Sequence, residues 1–486
     1  MTKPKEKKAN FLQALLPVVF LFIVIIYGLV LRPVFFHQEA LPLEIVFLTA
    51  SIFAITQLRI LGYKWEEIQE SIINKLKKAL PTLFILFAIG LIIGSWIVSG
   101  TIPMLVYYGI KIINTDYIYV LAFFVPIIFS TVTGTSWGSI GTIGVVIMGI
   151  AITVNAHLGI TAGAIIGGAY FGDKMSPLSD TTNIAALAVE VKLFDHIQSM
   201  TYTTFPSAII SLIVFFVLGF IYPAENLPGA TEQVDITLNS IASIFNFSWF
   251  LLIPPAIILY GSIRKKATIP VLLTSTVIAV VLAFIFQNFK FSDVIQTIYK
   301  GFDTEMAFWV KEVPENINQL FNRGGLYELS EPIIISIMVF VYIGTIDKIN
   351  AMTTIVGRVF RFAKKRSSVI LSSLVSSSLT NAMTSNQYAT SFVVGDAFVK
   401  KYDNLKIPRK VLSRSLEDYG TMIESLIPWT TTTIFIVATL GVSYADYWHW
   451  QILSLTNIIV APILAITGIG CFYKEKRDKK VNKRNQ

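Results

Sequence analysis

Long apolar runs alternate with short polar interludes from one end of this chain to the other. Leu15 to Leu31, Leu83 to Val98, Pro206 to Ile221, Val271 to Phe286, Ile333 to Ile346 and Ile452 to Gly468 carry almost no charge. Each approaches the length a helix needs to cross a hydrocarbon layer of about 30 Å. Counting more polar segments that protein neighbours could shield, about ten passes are predicted. The first run is too long for a secretory h-region and lacks a small-residue cleavage site, so it is read as a retained helix. Lys64 to Lys78 mixes basic, acidic and apolar positions, and predicts an amphipathic helix on the inner membrane surface.

Composition turns this pattern into a class. Of 486 residues, 54% are hydrophobic and 14% charged, a balance that predicts an all-α polytopic membrane protein. A lone cysteine, Cys471, excludes a disulfide framework or a cysteine-based metal centre. The net charge of +9 matters through its placement: Lys3–Lys8, Lys64–Lys78, Arg264–Lys266, Arg358–Arg366, Lys400–Arg414 and Lys474–Arg484. The positive-inside rule puts these patches and both termini in the cytoplasm, beside anionic lipid, with no nucleic-acid partner required. Pro223–Asn246 and Gln287–Gly325, weakly charged or acidic, then fall outside.

The chain also repeats itself. Pro81 and Pro332 each open an apolar span, and the same spacing of 251 positions carries Asp173 onto Glu424, Pro177 onto Pro428 and Thr181-Thr182 onto Thr432-Thr433. Thr135-Ser136-Trp137 matches Thr384-Ser385-Asn386 with a shift of two. The span after Pro81 leaves a basic patch whereas its counterpart runs toward one, so the copies are expected to have opposite orientation, the inverted-topology plan of secondary transporters. This divides the chain into 1–80 (basic tail, two spans, surface helix), 81–222 (first repeat), 223–331 (outer loops and linking spans), 332–470 (second repeat) and 471–486 (basic tail).

The stretch YFGDKMSPLSDTTN, Tyr170 to Asn183, holds the candidate chemistry. Proline has no N–H to give, so Pro177 should release the carbonyl of Asp173, and Pro428 that of Glu424. Hydroxyl-rich runs follow both breaks: SDTTN, and WTTTT with Thr430, Thr431 and Thr432. Freed carbonyls, the hydroxyls of Ser176, Ser179, Thr181 and Thr182, the Asn183 amide and a carboxylate form a set of hard oxygen ligands that suits sodium. An ionised aspartate at the bilayer centre costs about 2.5–3.5 kcal/mol on insertion scales, a penalty that a proton or a cation relieves. Competition between the two gives sodium/proton exchange, with Asp173 and Asp180 as the leading sodium pair and Glu424 contributed by the other repeat. Asp173 could instead pair with Lys174, and Asp180 could cap the helix starting at Thr181.

Upstream, Ser130–Thr142 and Ser378–Thr390 are rich in hydroxyls and amides and are expected to form re-entrant hairpin tips or helix breaks. Thr384, Ser385, Asn386 and Lys174 could read a carboxylate substrate; Trp137 could stack on a substrate or fill the core. Glu417 and Asp418, after Arg414, are expected to form a charge network on the cytoplasmic side. The histidines His37, His157, His196 and His449 are dispersed, HExxH is absent, and an enzyme is not expected. No cofactor is expected either, sodium and protons being cargo.

GAYFGDKMSPLSDTTN, Gly168 to Asn183, resembles the signature of the NhaC-type sodium/proton antiporter family of bacteria, and the layout from about residue 10 to 470 is similar too. The resemblance implies a scaffold and a moving transport domain, the latter built from inverted hairpin-and-broken-helix repeats, often in homodimers with elevator-like motion. It also implies a bacterial cell membrane location. Carried over by position, it puts Asp173, Ser176, Asp180, Thr181, Thr182 and Asn183 in the ion path. Some relatives of that family exchange malate for lactate with sodium and protons and others resemble amino-acid carriers, so a small carboxylate or an amino acid is the alternative cargo.

Overall fold

The computed structural model describes residues 9–112, 117–224, 230–264, 266–360 and 363–473. The basic runs Lys3–Lys8 and Lys474–Arg484, Lys265, residues 361–362 and part of the outer loop at 225–229 lie outside the described residues. All regular structure among the described residues is helical. Among the described residues seven helices are long and apolar enough to cross a membrane, or up to ten if each of three sharply bent pairs is one span. These helices form because their side chains are apolar over whole turns, which leaves backbone hydrogen bonding within the segment as the only way to satisfy N–H and C=O groups in lipid.

The chain opens with α1 (Phe11–Ile25), whose N-terminus is a reciprocal cap between Asn10 and Gln13. Next come α2 (Leu43–Ile60), α3 (Trp65–Val98), α4 (Thr101–Ile112) and α5 (Ile118–Thr133). α6 (Ser136–Thr153) contains a π-helical turn at Ile140–Gly144. After it run α7 (Leu158–Met175), α8 (Asp180–Ala188) and α9 (Leu193–Ile221). A middle stretch holds α10 (Ala230–Ile244), α11 (Ile253–Ile263), α12 (Thr268–Phe286), α13 (Phe291–Lys300) and α14 (Glu315–Phe321). The second half consists of α15 (Ser330–Asp347), α16 (Ala351–Val359), α17 (Arg366–Thr384), α18 (Gln387–Asn404), α19 (Arg409–Asp418), α20 (Thr431–Leu440) and α21 (Ile452–Thr467).

Two expectations change here. The segment 64–78 is not a separate surface helix: it runs unbroken into the span, so α3 is 34 residues long and Pro81 lies inside it. The division between 80 and 81 therefore cuts a helix. Glu66 and Glu67 in its first turn favour the positive end of the helix dipole, and Glu67 closes a cap on the Lys64 N–H at 2.8 Å.

The repeat is more regular than the letters suggest. Element starts recur 251 positions later: Ser136 of α6 and Gln387 of α18, Leu158 of α7 and Arg409 of α19, Asp180 of α8 and Thr431 of α20. The joints recur as well. α5 ends at a left-handed Gly134 (φ 70°) and α17 at a left-handed Ser385 (φ 45°), with return hydrogen bonds to Ser130 O at 2.7 Å and Asn381 O at 2.6 Å. Thr135 and Asn386 then cap α6 and α18, and Ser179 and Thr430 cap α8 and α20. The two-residue shift between Thr135-Ser136-Trp137 and Thr384-Ser385-Asn386 is thus corrected: by cap geometry Thr135 corresponds to Asn386, and Trp137 to Tyr388.

Two large apolar clusters and a small one at Met104, Leu251 and Leu282 hold the described residues together. One large cluster joins α3 to α5, α6, α7 and the middle stretch; the other joins α1 and α2 to α15–α19. The polar joints of both halves lie between these two.

Candidate functional site

The joints meet in one cavity of about 570 Å³. Its polar wall carries the starts of four helices, through Thr135 and Ser136, Asp180 and Thr181, Asn386 and Gln387, Thr431 and Thr432. Four N-termini aimed at one space give it a field that favours negative charge. Its other wall is mostly apolar, from Ile85, Ile89, Ile258, Val271 and Phe340, with Lys266 and Thr268 at its edge.

Asp173 sits at the floor, where α7 is about to end. Its Oδ2 accepts from Ser136 Oγ at 3.3 Å and Thr181 Oγ1 at 3.4 Å, and lies 3.3 Å from Lys174 Nζ. Lys174 is fully buried and spans two carboxylates: its ammonium is 2.5 Å from Glu417 Oε2 as well as close to Asp173, and it donates to Thr181 Oγ1 at 3.1 Å. Glu417 also accepts from Thr421 Oγ1 at 2.8 Å. Glu424 lines the same cavity, 7% exposed, with Thr432 and Asn381 beside it. Just behind, Asp418 accepts from Thr203 Oγ1 at 2.8 Å and from Asn457 Nδ2 at 3.3 Å, and faces the buried Arg414 at 3.8 Å.

Charge counting states what this cluster needs. Arg414 and Asp418 cancel; Asp173, Glu417 and Glu424 oppose only Lys174. Fully ionised, the group carries two uncompensated negative charges in a buried place, and the effective penalty of an unpaired buried ion is several kcal/mol. Protons or small cations must supply the balance. Among the described residues, no three acidic, histidine or cysteine side chains form a group able to hold a metal ion. An ion here would rely on one or two carboxylates, with hydroxyl and amide oxygens completing its shell.

Of the residues singled out in the sequence, Thr135, Ser136, Trp137, Asp173, Asp180, Thr181, Asn183, Ser385, Asn386, Glu424, Thr431 and Thr432 line this cavity. Others do structural work around it. Ser176 Oγ bonds Thr131 O at 2.8 Å and the Leu178 N–H at 3.2 Å, and Thr384 Oγ1 reaches Asn386 O at 3.3 Å. The freed carbonyls are not left for a cation. Asp173 O accepts from Thr182 Oγ1 at 3.2 Å; Glu424 O accepts from Thr430 Oγ1 at 2.6 Å and Thr433 Oγ1 at 3.2 Å. A buried carbonyl needs a donor, and the hydroxyl run after each proline supplies it locally.

Asp180 and Asp173 differ in setting. Asp173 is buried, while Asp180 is exposed, accepting from its neighbour's N–H (Thr181, 2.9 Å) and from Tyr388 OH at 2.7 Å. Ser179, not Asp180, caps α8. Trp137 stacks on Phe435, ring centroids 4.6 Å apart.

Glu417 belongs to the buried core of the site and not to a cytoplasmic charge network. Its signal was its place seven residues before Glu424, two helical turns, yet 417 falls on Ile166 at the repeat spacing and so repeat matching could not find it. Gln387, Tyr388, Lys266 and Thr421 also join only in three dimensions. The letters Gly134–Gly138, GTSWG, fit the spacing of a nucleophile elbow. That device needs a strand before its serine and a histidine beside it. Here helix α5 precedes, and the Ser136 hydroxyl donates to Asp173.

Residues 168–469 match the profile of a family described as the Na+/H+ antiporter family. The chain is 39% identical over 469 residues to an uncharacterized Na+/H+ antiporter of Haemophilus influenzae, covering 96% of this chain and 98% of that protein. It is 33% identical over 466 residues to the Na+/H+ antiporter NhaC of Alkalihalophilus pseudofirmus, with 96% and 97% covered. To the malate-2H+/Na+-lactate antiporter of Bacillus subtilis it is 30% identical over 443 residues, with 91% and 93% covered.

Proposed function

This chain belongs to the Na+/H+ antiporter family, and on that premise we propose that it exchanges sodium for protons by alternating access across a bacterial cell membrane. The observation that carries the reading is the buried cluster Asp173, Lys174, Glu417 and Glu424, which when ionised carries two negative charges in excess and meets the cavity through Asp173 and Glu424. Sodium and protons are the two cargoes that can neutralise it in turn. When protons occupy the carboxylates, sodium finds no charge to bind; when sodium is bound, protonation is disfavoured.

The repeat-related joints supply the movement. We read the halves as inverted copies, so α8 and α20 start at the cavity and run to opposite faces. Arg409, on the basic side, bonds Glu190 at 2.6 Å just beyond α8, whereas Arg323 donates to Thr439 O near the end of α20. With the basic patches and both termini in the cytoplasm, the exposed Asp180, Asn183 and Tyr388 form a mouth on the cytoplasmic side. A homodimer with the middle helices as scaffold fits the same plan.

A second reading is favoured by the cavity's shape. A bare ion needs neither about 570 Å³ nor a wall of isoleucines and Phe340. A small carboxylate or amino acid would set its charged end on the helix N-termini and its carbon chain against that wall, as the lactate and malate named for the Bacillus subtilis relative would require.

Proteoliposomes test both readings. Sodium should dissipate an imposed pH gradient with no organic solute present, and Asp173→Asn should abolish this while the protein still inserts. Normal exchange by that variant removes Asp173 from the mechanism, and strict dependence on lactate, malate or an amino acid selects the second reading.

A further inference from the structure

Trp137 and Tyr388 are repeat partners, 251 positions apart, each the second residue of a helix that begins at the cavity. Each crosses to the opposite half. Trp137 of α6 lies flat on Phe435 of α20, centroids 4.6 Å apart and planes 12° from parallel; Tyr388 of α18 donates to Asp180 of α8 at 2.7 Å. By the repeat spacing these contacts are not equivalent. The counterpart of Phe435 is Ile184, yet Tyr388 sits at Asp180; the counterpart of Asp180 is Thr431, yet Trp137 sits at Phe435.

Each short helix thus offers two seats one turn apart: a polar one at its first residue (Asp180, Thr431) and an apolar one four residues on (Ile184, Phe435). Four residues of α-helix are about 6 Å. Trp and Tyr suit both seats, because each has an apolar ring to bury and a polar tip that wants a partner. Phe435 is fully buried, whereas Tyr388 is 42% exposed and Asp180 is open to solvent. Trp137 is half-buried and rests on a buried ring, whereas Tyr388 is exposed and rests on a solvent-facing carboxylate.

We propose that Trp137 and Tyr388 are the paired gating residues of this transporter and that transport exchanges their seats. In the alternate state Tyr388 leaves Asp180 to pack on Ile184 and closes the side now open, while Trp137 withdraws from Phe435 and its indole N–H turns to the Thr431 hydroxyl. The inference rests on the inverted, alternating-access reading above, and not on which solutes are carried.

Cross-linking tests it in the full-length chain made cysteine-free by Cys471→Ala. Two pairs are built: Trp137→Cys with Phe435→Cys, and Tyr388→Cys with Ile184→Cys. Mercuric ion should bridge both pairs in membranes, and moving from sodium-free to sodium-saturated buffer should change the two yields in opposite directions by about threefold or more. Yields that rise and fall together overturn the proposal, as does failure of the 184/388 pair to bridge although both single-cysteine proteins are labelled. Tyr388→Phe, which keeps the ring and loses the tip, is the second measurement and decides the matter if a double variant does not fold. It should change the apparent sodium KM or the turnover by about threefold or more; no change in either overturns the exchange. Bridging of both pairs reports geometry alone and stands even if the cargo is not sodium. The opposed change in yield needs sodium to shift the states, so unchanged yields in a protein with normal sodium-driven proton flux overturn the proposal, whereas loss of that flux in the parent protein would defeat only the functional reading.

Discussion

Glu417→Gln is the sharpest test of the buried cluster, because repeat matching does not place Glu417 there. In the native chain the Lys174 ammonium is shared, 2.5 Å from Glu417 and 3.3 Å from Asp173. Neutralising Glu417 leaves Asp173 as the ammonium's only full-charge contact, and the lysine should close on it to an ordinary ion-pair distance of about 2.8 Å. With an effective dielectric of about 20, that approach adds about 0.9 kcal/mol of attraction. Sodium must compete with this tighter internal cation, so its affinity should fall about fivefold. Loss of Glu417's own pull on sodium acts in the same direction, making fivefold a lower bound. The assay is sodium-dependent dissipation of a pH gradient in everted vesicles, read as apparent KM, with protein quantified in the membrane. A KM within about twofold of the parent at normal protein level would refute the shared-lysine account and leave the Lys174–Glu417 pair a structural tie.

Other consequences follow from the same geometry. Glu424→Gln removes one of the two uncompensated charges and should change the apparent sodium affinity or its dependence on pH; an unchanged transport profile confines Glu424 to structure. Gly172→Ala would push a methyl group to 2.5 Å from the Thr131 N–H nitrogen and 2.7 Å from Ile127 O, so α5 and α7 must separate; a loss of about 1–3 kcal/mol should appear as a lower melting temperature in detergent. Thr182→Val and Thr433→Val each strip a hydroxyl from the carbonyl before a break, Asp173 O and Glu424 O, and should destabilise by about 1–3 kcal/mol each. Glu424 O keeps the Thr430 hydroxyl at 2.6 Å and the Thr433 hydroxyl's shorter bond is to Ile427 O at 2.7 Å, so the loss that Thr433→Val shows in thermal melts should come mainly from Ile427 O.

What was legible in the letters was what a few neighbouring residues decide. Apolar windows marked the helices and the prolines at 177 and 428 marked the breaks, but the hydroxyls after them, read as cation ligands, include the caps Ser179 and Thr430. The 251-residue spacing aligned Asp173 with Glu424 because identical joints need similar letters. Where the letters differ but the backbone conformation is shared, matching slipped by two. Gly134 and Ser385 both adopt left-handed geometry, yet a glycine and a serine give no common signal, and Thr135 and Asn386 cap equally well with different side chains.

By itself, then, the sequence determined that this is a many-helix membrane protein with two related, interrupted halves, and which carboxylates stand at the interruptions. Only the tertiary structure decided that Lys174 is held between Asp173 and Glu417, that the liberated carbonyls are taken by threonines, and that Trp137 and Tyr388 occupy unlike seats. The reason is range. Hydrophobic length, proline and capping act within a turn or two of helix, whereas Lys174 and Glu417 are 243 residues apart and their contact exists only because packing of the two halves brings one buried cation to the acids that lack a partner.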